Sequence, residues 1–140
     1  MMETKTKITV ECIVNSNIEK VWKYWTTPKH IEQWNYASDD WHTPKASNDL
    51  KVGGKFSSTM AAKDGSFSFD FGGRYTEIQE YKLIKYTMDD GRMASIDFIA
   101  IGGTVEIVET FEAENQNSIE LQRSGWQAIL NHFKKYVENN

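Results

Sequence analysis

The sequence predicts an α+β domain in which a curved antiparallel sheet buries one face against a long C-terminal helix. Three observations lead to this fold class. Residues 7–14 alternate and are β-branched, residues 53–113 alternate between turns, and residues 123–137 carry apolar side chains at helical spacing. A chain of 140 residues is long enough for one core and too short for two. We therefore expect a single domain over residues 1–140.

The first third of the chain predicts one strand and two short helices. The segment KITVECIV, residues 7–14, is the first strand. Asparagines then precede IEKVWKYW, residues 18–25, whose apolar side chains recur at helical spacing. TTPKHIEQW restarts a short helix, because Pro28 suits a first helical turn. Residues 35–50 are polar and are predicted to be a long connection.

Turns set the register of the predicted sheet over residues 53–113, which we divide into about six strands. Asp64-Gly65 and Gly102-Gly103 predict two-residue hairpin loops. At residues 89–91 a three-residue loop is favoured, because it turns apolar rather than polar side chains inward. We expect Gly72-Gly73 to bend or bulge its strand. The inward set is then Phe56, Ser58, Met60, Ala62, Phe67, Phe69, Phe71, Ile84, Tyr86, Ala94, Ile96, Phe98, Ala100, Val105, Ile107, Glu109 and Phe111.

The C-terminal segment predicts a helix that faces the sheet. Asn117 and Glu120 have the spacing of a capping box at its start. Gly125 lies inside the helical pattern and predicts either a close approach to a strand or a bend in the helix. The apolar stripe consists of Trp126, Ile129, Leu130, Phe133 and Val137.

Charge and composition exclude several classes of function. The net charge is −4 and no basic cluster is present, which disfavours binding to nucleic acid or to an anionic membrane surface. The longest apolar stretch, near FIAI, is too short to span a bilayer. The N-terminal MMETKTK lacks the apolar segment of a signal peptide, and Cys12 is the only cysteine. These features predict a cytoplasmic protein.

Five segments resemble the SRPBCC, or START-like, superfamily with its helix-grip fold, and in particular the branch of heat-shock-protein ATPase activator homologues. They are VWKYWTTPKHIEQW, NDLKVGGKF, KDGSFSFDFGGRYTEI, GGTVEIVETFEAE and RSGWQAILNHFKKYV, in this order. The resemblance covers nearly the whole chain. It implies a seven-stranded antiparallel sheet wrapped around the long C-terminal helix, often with a cavity between them that is open to apolar small molecules.

The resemblance and the predicted inward face together suggest which side chains line such a cavity. Trp126 is a candidate wall, because the Gly-Trp pair is a feature of this branch. Trp41 is either a lid over the cavity mouth or an anchor of its own loop. The full predicted set is Trp41, Met60, Phe69, Phe71, Tyr86, Ile96, Phe98, Glu109, Trp126, Ile129, Leu130 and Phe133.

Glu109 is the one misfit on the predicted inward face. A carboxylate there is unfavourable unless it is paired, hydrated or protonated. It is either a polar anchor or an acid-base group with a raised pKa, or else it makes a structural hydrogen bond to Arg74, Tyr86 or Ser95. A position at the sheet's end near water would also accommodate it.

No other catalytic or metal-binding motif stands out. The three histidines, His30, His42 and His132, lack the spacing of metal ligands, and no nucleophile elbow or phosphate loop occurs. We therefore expect no metal and no cofactor. We expect Cys12 to be a small buried side chain.

Three hypotheses follow. The first is a binding protein for an apolar or amphipathic small molecule, with no catalysis. The second is an acid-base cyclase, isomerase or hydrolase that uses Glu109, with Tyr86 as a possible helper. The third, from the resemblance alone, is a co-chaperone-like domain with a protein partner.

Overall fold

A seven-stranded antiparallel sheet curls around the C-terminal helix in the computed structural model, which describes residues 6–140. The spatial order of the strands is β1-β7-β6-β5-β4-β3-β2. This architecture confirms the predicted α+β helix-grip fold with two short helices after the first strand. The elements are β1 (Lys7–Val14), α1 (Ile18–Thr26), α2 (Pro28–Trp34), β2 (Trp41–Asn48), β3 (Lys55–Ala62), β4 (Ser68–Gln79), β5 (Leu83–Met88), β6 (Met93–Ile101), β7 (Thr104–Glu112) and α3 (Ile119–Asn139).

The strand registers follow the predicted turns. Met60 pairs with Phe69 across the β3–β4 hairpin, and Ile101 pairs with Thr104 across the β6–β7 turn. Tyr86 pairs with Ala94, as the three-residue loop at 89–91 requires. The alternation therefore turns the expected face inward, although the tips of the hairpins extend past the helix, so that Phe67 is 60% exposed.

The segment predicted as a polar connection contains an edge strand, β2. Residues 53–113 accordingly hold five strands rather than six. An edge strand needs no strong apolar pattern, and Pro44 lies where the β2–β3 register shifts between His42 and Lys45. The Glu32 carboxylate of α2 accepts a hydrogen bond from the Ala46 backbone N–H at 3.0 Å. This segment was predicted as a connection because its composition is polar.

The glycine pair of β4 serves close packing of neighbouring strands. A Cβ on Gly73 would lie 2.5 Å from the Thr87 carbonyl oxygen, and one on Gly72 would lie 2.7 Å from that of Phe56. The irregularity in β4 falls further along, between Tyr75 and Glu77. The predicted bulge at the glycines is therefore wrong, and alternation continues through them.

Side-chain caps fix the starts of α1 and α3. The Asn17 side chain accepts from the Lys20 N–H at 2.8 Å. At α3 the cap is Ser118, whose hydroxyl accepts from the Leu121 N–H, rather than Asn117 as predicted. Asn117 instead donates to the Glu114 carboxylate, so the capping role moves by one residue.

A solid aromatic core fills one end of the curled sheet, beneath α1 and α2. The Phe98 ring lies 5.2 Å from Trp22 and 5.6 Å from Trp25 in edge-to-face contacts. Phe133 of α3 meets Trp25 and Trp34, each at 4.9 Å. These arrangements are favourable beyond the area they bury. Within residues 6–140, no helix has the length and apolar character needed to cross a bilayer.

Candidate functional site

A pocket of about 450 Å³ lies beside this core, between the concave face of the sheet and helices α2 and α3, and Trp25 and Trp34 border both. Its volume falls within the range of about 300–1,000 Å³ that is usual for small-molecule sites. The lining residues are Trp25, Ile31, Trp34, Asn35, Ala37, Ser38, Trp41, Ser47, Phe56, Ser58, Met60, Phe69, Phe71, Tyr75, Ile84, Tyr86, Arg92, Glu109, Gly125, Trp126 and Ile129.

Aromatic rings in contact with one another make up much of the pocket wall. Trp126 stacks on Phe111, with ring centroids 3.8 Å apart and planes inclined by 10°. Its edge meets Phe71 at 6.0 Å. Phe56 contacts Tyr86 edge-to-face at 4.8 Å on the opposite side. The wall is therefore built from rings that pack against one another.

Glu109 is the buried carboxyl group of this wall. It lies on β7 between Val10 of β1 and Ile96 of β6, and its side chain is only 7% exposed. No hydrogen bond or ion pair to it is found within residues 6–140. No side-chain oxygen or nitrogen in this range is both fully buried and unpaired. The carboxyl oxygens therefore reach the pocket space, and burial raises the pKa of Glu109 to about 8.

None of the three residues suggested as structural partners of Glu109 forms a hydrogen bond to it within residues 6–140. Arg74 donates to the Gly53 carbonyl at 2.8 Å, and Ser95 pairs with Thr110 on the opposite face of the sheet. Tyr86 lies two strands away on β5. Burial, and then the nearby Glu109 carboxylate, raise the pKa of Tyr86 well above its ordinary value, so it remains a neutral phenol.

Arg92 is the second charged residue of the pocket, and its charge is already compensated. Its Nε donates to Asp90 at 2.8 Å, and its terminal nitrogen donates to the Glu112 carbonyl at 3.2 Å. No ion pair between Arg92 and Glu109 occurs in the described chain. The pocket therefore contains one neutralised cation and one acidic group without a partner.

The structure brings together eight of the twelve predicted cavity residues. These are Trp41, Met60, Phe69, Phe71, Tyr86, Glu109, Trp126 and Ile129.

The other four lie in the solid core instead, and none is more than 3% exposed. Phe98 and Phe133 are enclosed by the tryptophans of α1 and α2. Ile96 packs in the sheet beside Glu109, and Leu130 lies on the deeper line of α3 with Phe133. The alternation identified the inward face, but not how far α1 and α2 cover it.

The predicted set of cavity residues left out the first helices and most of the segment after them. Ile31 and Trp34 stand three residues apart on one face of α2, and both line the pocket. That spacing could have indicated them. Arg92, Ser38 and Ser47 gave no comparable signal, because a polar residue in a turn or an edge strand is normally solvated. The missed residues are Trp25, Ile31, Trp34, Asn35, Ala37, Ser38, Ser47, Phe56, Ser58, Tyr75, Ile84, Arg92 and Gly125.

Gly125 borders empty space. A Cβ built on it would meet no atom within 4 Å, so the predicted close approach to a strand is wrong. Gly125 lines the pocket directly beside Trp126. Its missing side chain leaves volume in the pocket.

Trp41 begins strand β2 rather than lying in a loop. Its ring is 5.9 Å from Phe69 and 6.1 Å from Phe67, and these two phenylalanines are 44% and 60% exposed. The three rings therefore form an exposed aromatic cluster beside the pocket. A role for Trp41 as a lid stays a prediction.

The pocket lining does not include His30, His132 or Cys12. His30 stacks on Tyr24 and shares a 2.7 Å hydrogen bond with the Tyr136 hydroxyl. His132 bonds to the Tyr36 carbonyl and stacks on its ring. Burial raises the pKa of Cys12 to about 12, so it remains a thiol. Within residues 6–140, no group of three or more potential ligands is placed to hold a metal ion.

The curled sheet closed by a long C-terminal helix is the helix-grip fold of the SRPBCC class. The chain belongs to the family described as "Activator of Hsp90 ATPase homolog 1-like protein", whose model matches residues 15–138.

Solved structures agree with this assignment. An AHSA1-like protein from Aeromonas hydrophila is 44% identical, with a TM-score of 0.90; the match covers 96% of this chain and 93% of that one. Chr148 from Cytophaga hutchinsonii is 60% identical, with a TM-score of 0.82 and the same coverage of both chains. Protein CV1439 from Chromobacterium violaceum, at 22% identity and a TM-score of 0.85, shares the fold over 96% of this chain and 99% of its own. No curated protein matches the chain.

Proposed function

We propose that this protein binds an apolar or amphipathic small molecule in the pocket between the sheet and α3. One observation supports the proposal above all others. A space of about 450 Å³ is walled by aromatic rings and contains a buried carboxyl group that has no partner in the described chain. Apolar walls with a few convergent polar groups are the usual makeup of a small-molecule site.

The free-energy balance favours a ligand with a large apolar part. Each Å² of apolar surface removed from water contributes roughly 25 cal/mol. The rings of Trp126, Phe71 and Phe111 contact one another, so binding would require little ordering of these side chains.

The test fills the pocket without removing any wall residue. Because a Cβ on Gly125 meets open space, Gly125→Leu should insert its side chain into the pocket and at the same time improve helix propensity. We expect the neutral fluorescent probe N-phenyl-1-naphthylamine to bind the native protein. We expect the Leu variant to bind it at least about tenfold more weakly, a difference of about 1.4 kcal/mol.

Gly103→Leu is the matched control. Gly103 lies in the β6–β7 turn outside the pocket, and a Cβ there also meets no atom within 4 Å. This variant should bind the probe as the native protein does. Equal binding by native protein and Gly125→Leu, or no binding by the native protein to a broad panel of lipophiles, would refute the proposal.

The raised pKa of Glu109 favours a second candidate function, acid-base catalysis. A carboxyl with a pKa of about 8 is poised to exchange a proton near neutral pH, and Tyr86 lies on the same pocket wall. If the protein is such an enzyme, it should convert a component of a metabolite extract, and Glu109→Gln should abolish that conversion while still binding the fluorescent probe. Identical mass-spectrometric profiles with and without the native protein would count against catalysis.

A further inference from the structure

We propose that the ligand carries a protonated amine that pairs with Glu109, while its apolar part lies against the aromatic walls of the pocket. This inference rests on the proposed function and names the chemical class of the ligand. It follows from how charge is distributed around the pocket.

The basic and the acidic side chain of the pocket wall, Arg92 and Glu109, differ in whether they have a partner in the described chain. Arg92 already holds Asp90 at 2.8 Å and the Glu112 carbonyl at 3.2 Å, so it has little need of an anionic ligand. Glu109 is 7% exposed and receives no hydrogen bond within residues 6–140. A buried acidic group without a partner is satisfied best by a cation that also donates hydrogen bonds.

The walls suit a cation as well. An ammonium group is attracted to the faces of aromatic rings, and the attraction grows when water is excluded. Trp126, Phe71 and Tyr86 line the same pocket as Glu109. A carboxylate together with aromatic faces is a combination that favours an amine over a neutral or anionic head group of the same size.

Glu109 is the group whose charge changes on binding, because the titratable groups around it keep their charge states. Tyr86 of β5, Tyr75 of β4 and Cys12 of β1 all have pKa values raised by burial, and they stay neutral near neutral pH. Arg92, in the β5–β6 turn, is paired with Asp90.

The protonation of Glu109 predicts a proton-linked affinity. With a pKa of about 8, Glu109 is mostly protonated in the empty pocket at neutral pH. An ammonium ligand favours the carboxylate, so binding releases a proton. Affinity for the amine should therefore rise with pH up to about 8, by at most about tenfold per pH unit.

Isothermal titration calorimetry with three matched probes tests this inference. The probes are 2-(1-naphthyl)ethylamine, 2-(1-naphthyl)ethanol and 1-naphthaleneacetate, which share the ring system and differ in the head group. At about pH 7.5 we expect the amine to bind at least about tenfold more tightly than the alcohol. In buffers of different ionisation enthalpy, its binding should release about three-quarters of a proton, because that is roughly the fraction of Glu109 still protonated at this pH. This readout needs no variant.

Two isosteric variants complete the design. Glu109→Gln should abolish both the amine preference and the proton release, with binding of the alcohol retained. Glu106→Gln makes the same substitution on β7, three residues away and outside the pocket, and should behave as native.

The outcomes separate this inference from the function on which it rests. Equal or tighter binding of the alcohol or the carboxylate, or an unchanged amine preference in Glu109→Gln, would overturn the amine proposal and leave small-molecule binding intact. Failure of all three probes and of N-phenyl-1-naphthylamine to bind would overturn both.

Discussion

At the residue scale, the proposed function depends most on Glu109 and Gly125. Alternation predicted Glu109 as an inward carboxyl, because the two-residue turn at Gly102-Gly103 fixes its register. The sequence left the role of Gly125 open. A glycine in a helix indicates that a side chain is absent, but not whether the vacated volume is filled by a strand or left empty.

Glu109 should make the stability of the unliganded protein fall as pH rises. Its pKa is about 8 in the folded state against an ordinary value of 4.5. Above pH 4.5 the unfolded chain releases the proton while the folded protein retains it, so unfolding becomes more favourable until pH passes the folded value. The native protein should therefore lose stability relative to Glu109→Gln as the pH rises from about 5 to about 8. Over this range the difference between their free energies of unfolding should change by on the order of a few kcal/mol.

Urea denaturation at both pH values measures this difference. A difference between variant and native protein that is the same at the two pH values would contradict the raised pKa of Glu109.

Gly125→Ala should stabilise the protein. The added methyl group enters open space and alanine is the better helix former, so we expect a gain of about 0.5–1 kcal/mol in the free energy of unfolding. Thermal denaturation followed by circular dichroism gives the result. A lower melting temperature would mean that backbone or side chains lie closer to this position than the structure places them.

At the element scale, the polar flanks of the sheet are as important as its apolar faces. Helix α3 covers the edge of β1 with side chains that bond to its backbone. Gln127 exchanges hydrogen bonds with Glu11, and Lys134 donates to the Ile13 carbonyl at 2.6 Å. At the other edge, Glu32 of α2 bonds to β2. Such contacts involve residues distant in sequence and leave no local pattern, which is why β2 was predicted as a connection.

Gly73→Ala should have the opposite effect to Gly125→Ala. Its Cβ would lie 2.5 Å from the Thr87 carbonyl oxygen and 3.1 Å from the Phe56 ring, so strands β4 and β5 would have to separate. We expect a loss of at least about 1–3 kcal/mol from overpacking. Chemical denaturation of the two alanine variants side by side provides the comparison. A neutral Gly73→Ala would show that β4 and β5 pack less closely than described.

At the scale of the whole molecule, one curled sheet encloses two different regions. Beneath α1 and the buried part of α2, the rings of Trp22, Phe98 and Phe133 fill the interior. Towards Trp41 and Gly125 the interior opens into the pocket. Turn chemistry and periodicity were sufficient to predict the fold. The boundary between core and pocket depends on how far the short helices reach over the sheet, and this is a tertiary property that no sequence spacing encodes.

The five tryptophans test the central claim most directly, because four line the pocket and one does not. Trp25, Trp34, Trp41 and Trp126 are wall residues, whereas Trp22 packs in the solid core against Phe98. In protein labelled with 5-fluorotryptophan, fluorine NMR during titration with 2-(1-naphthyl)ethylamine should shift the Trp126 signal most, together with other wall signals, and leave Trp22 nearly unchanged. Unchanged wall signals at saturating probe, or a largest shift at Trp22, would contradict a ligand site between the sheet and α3.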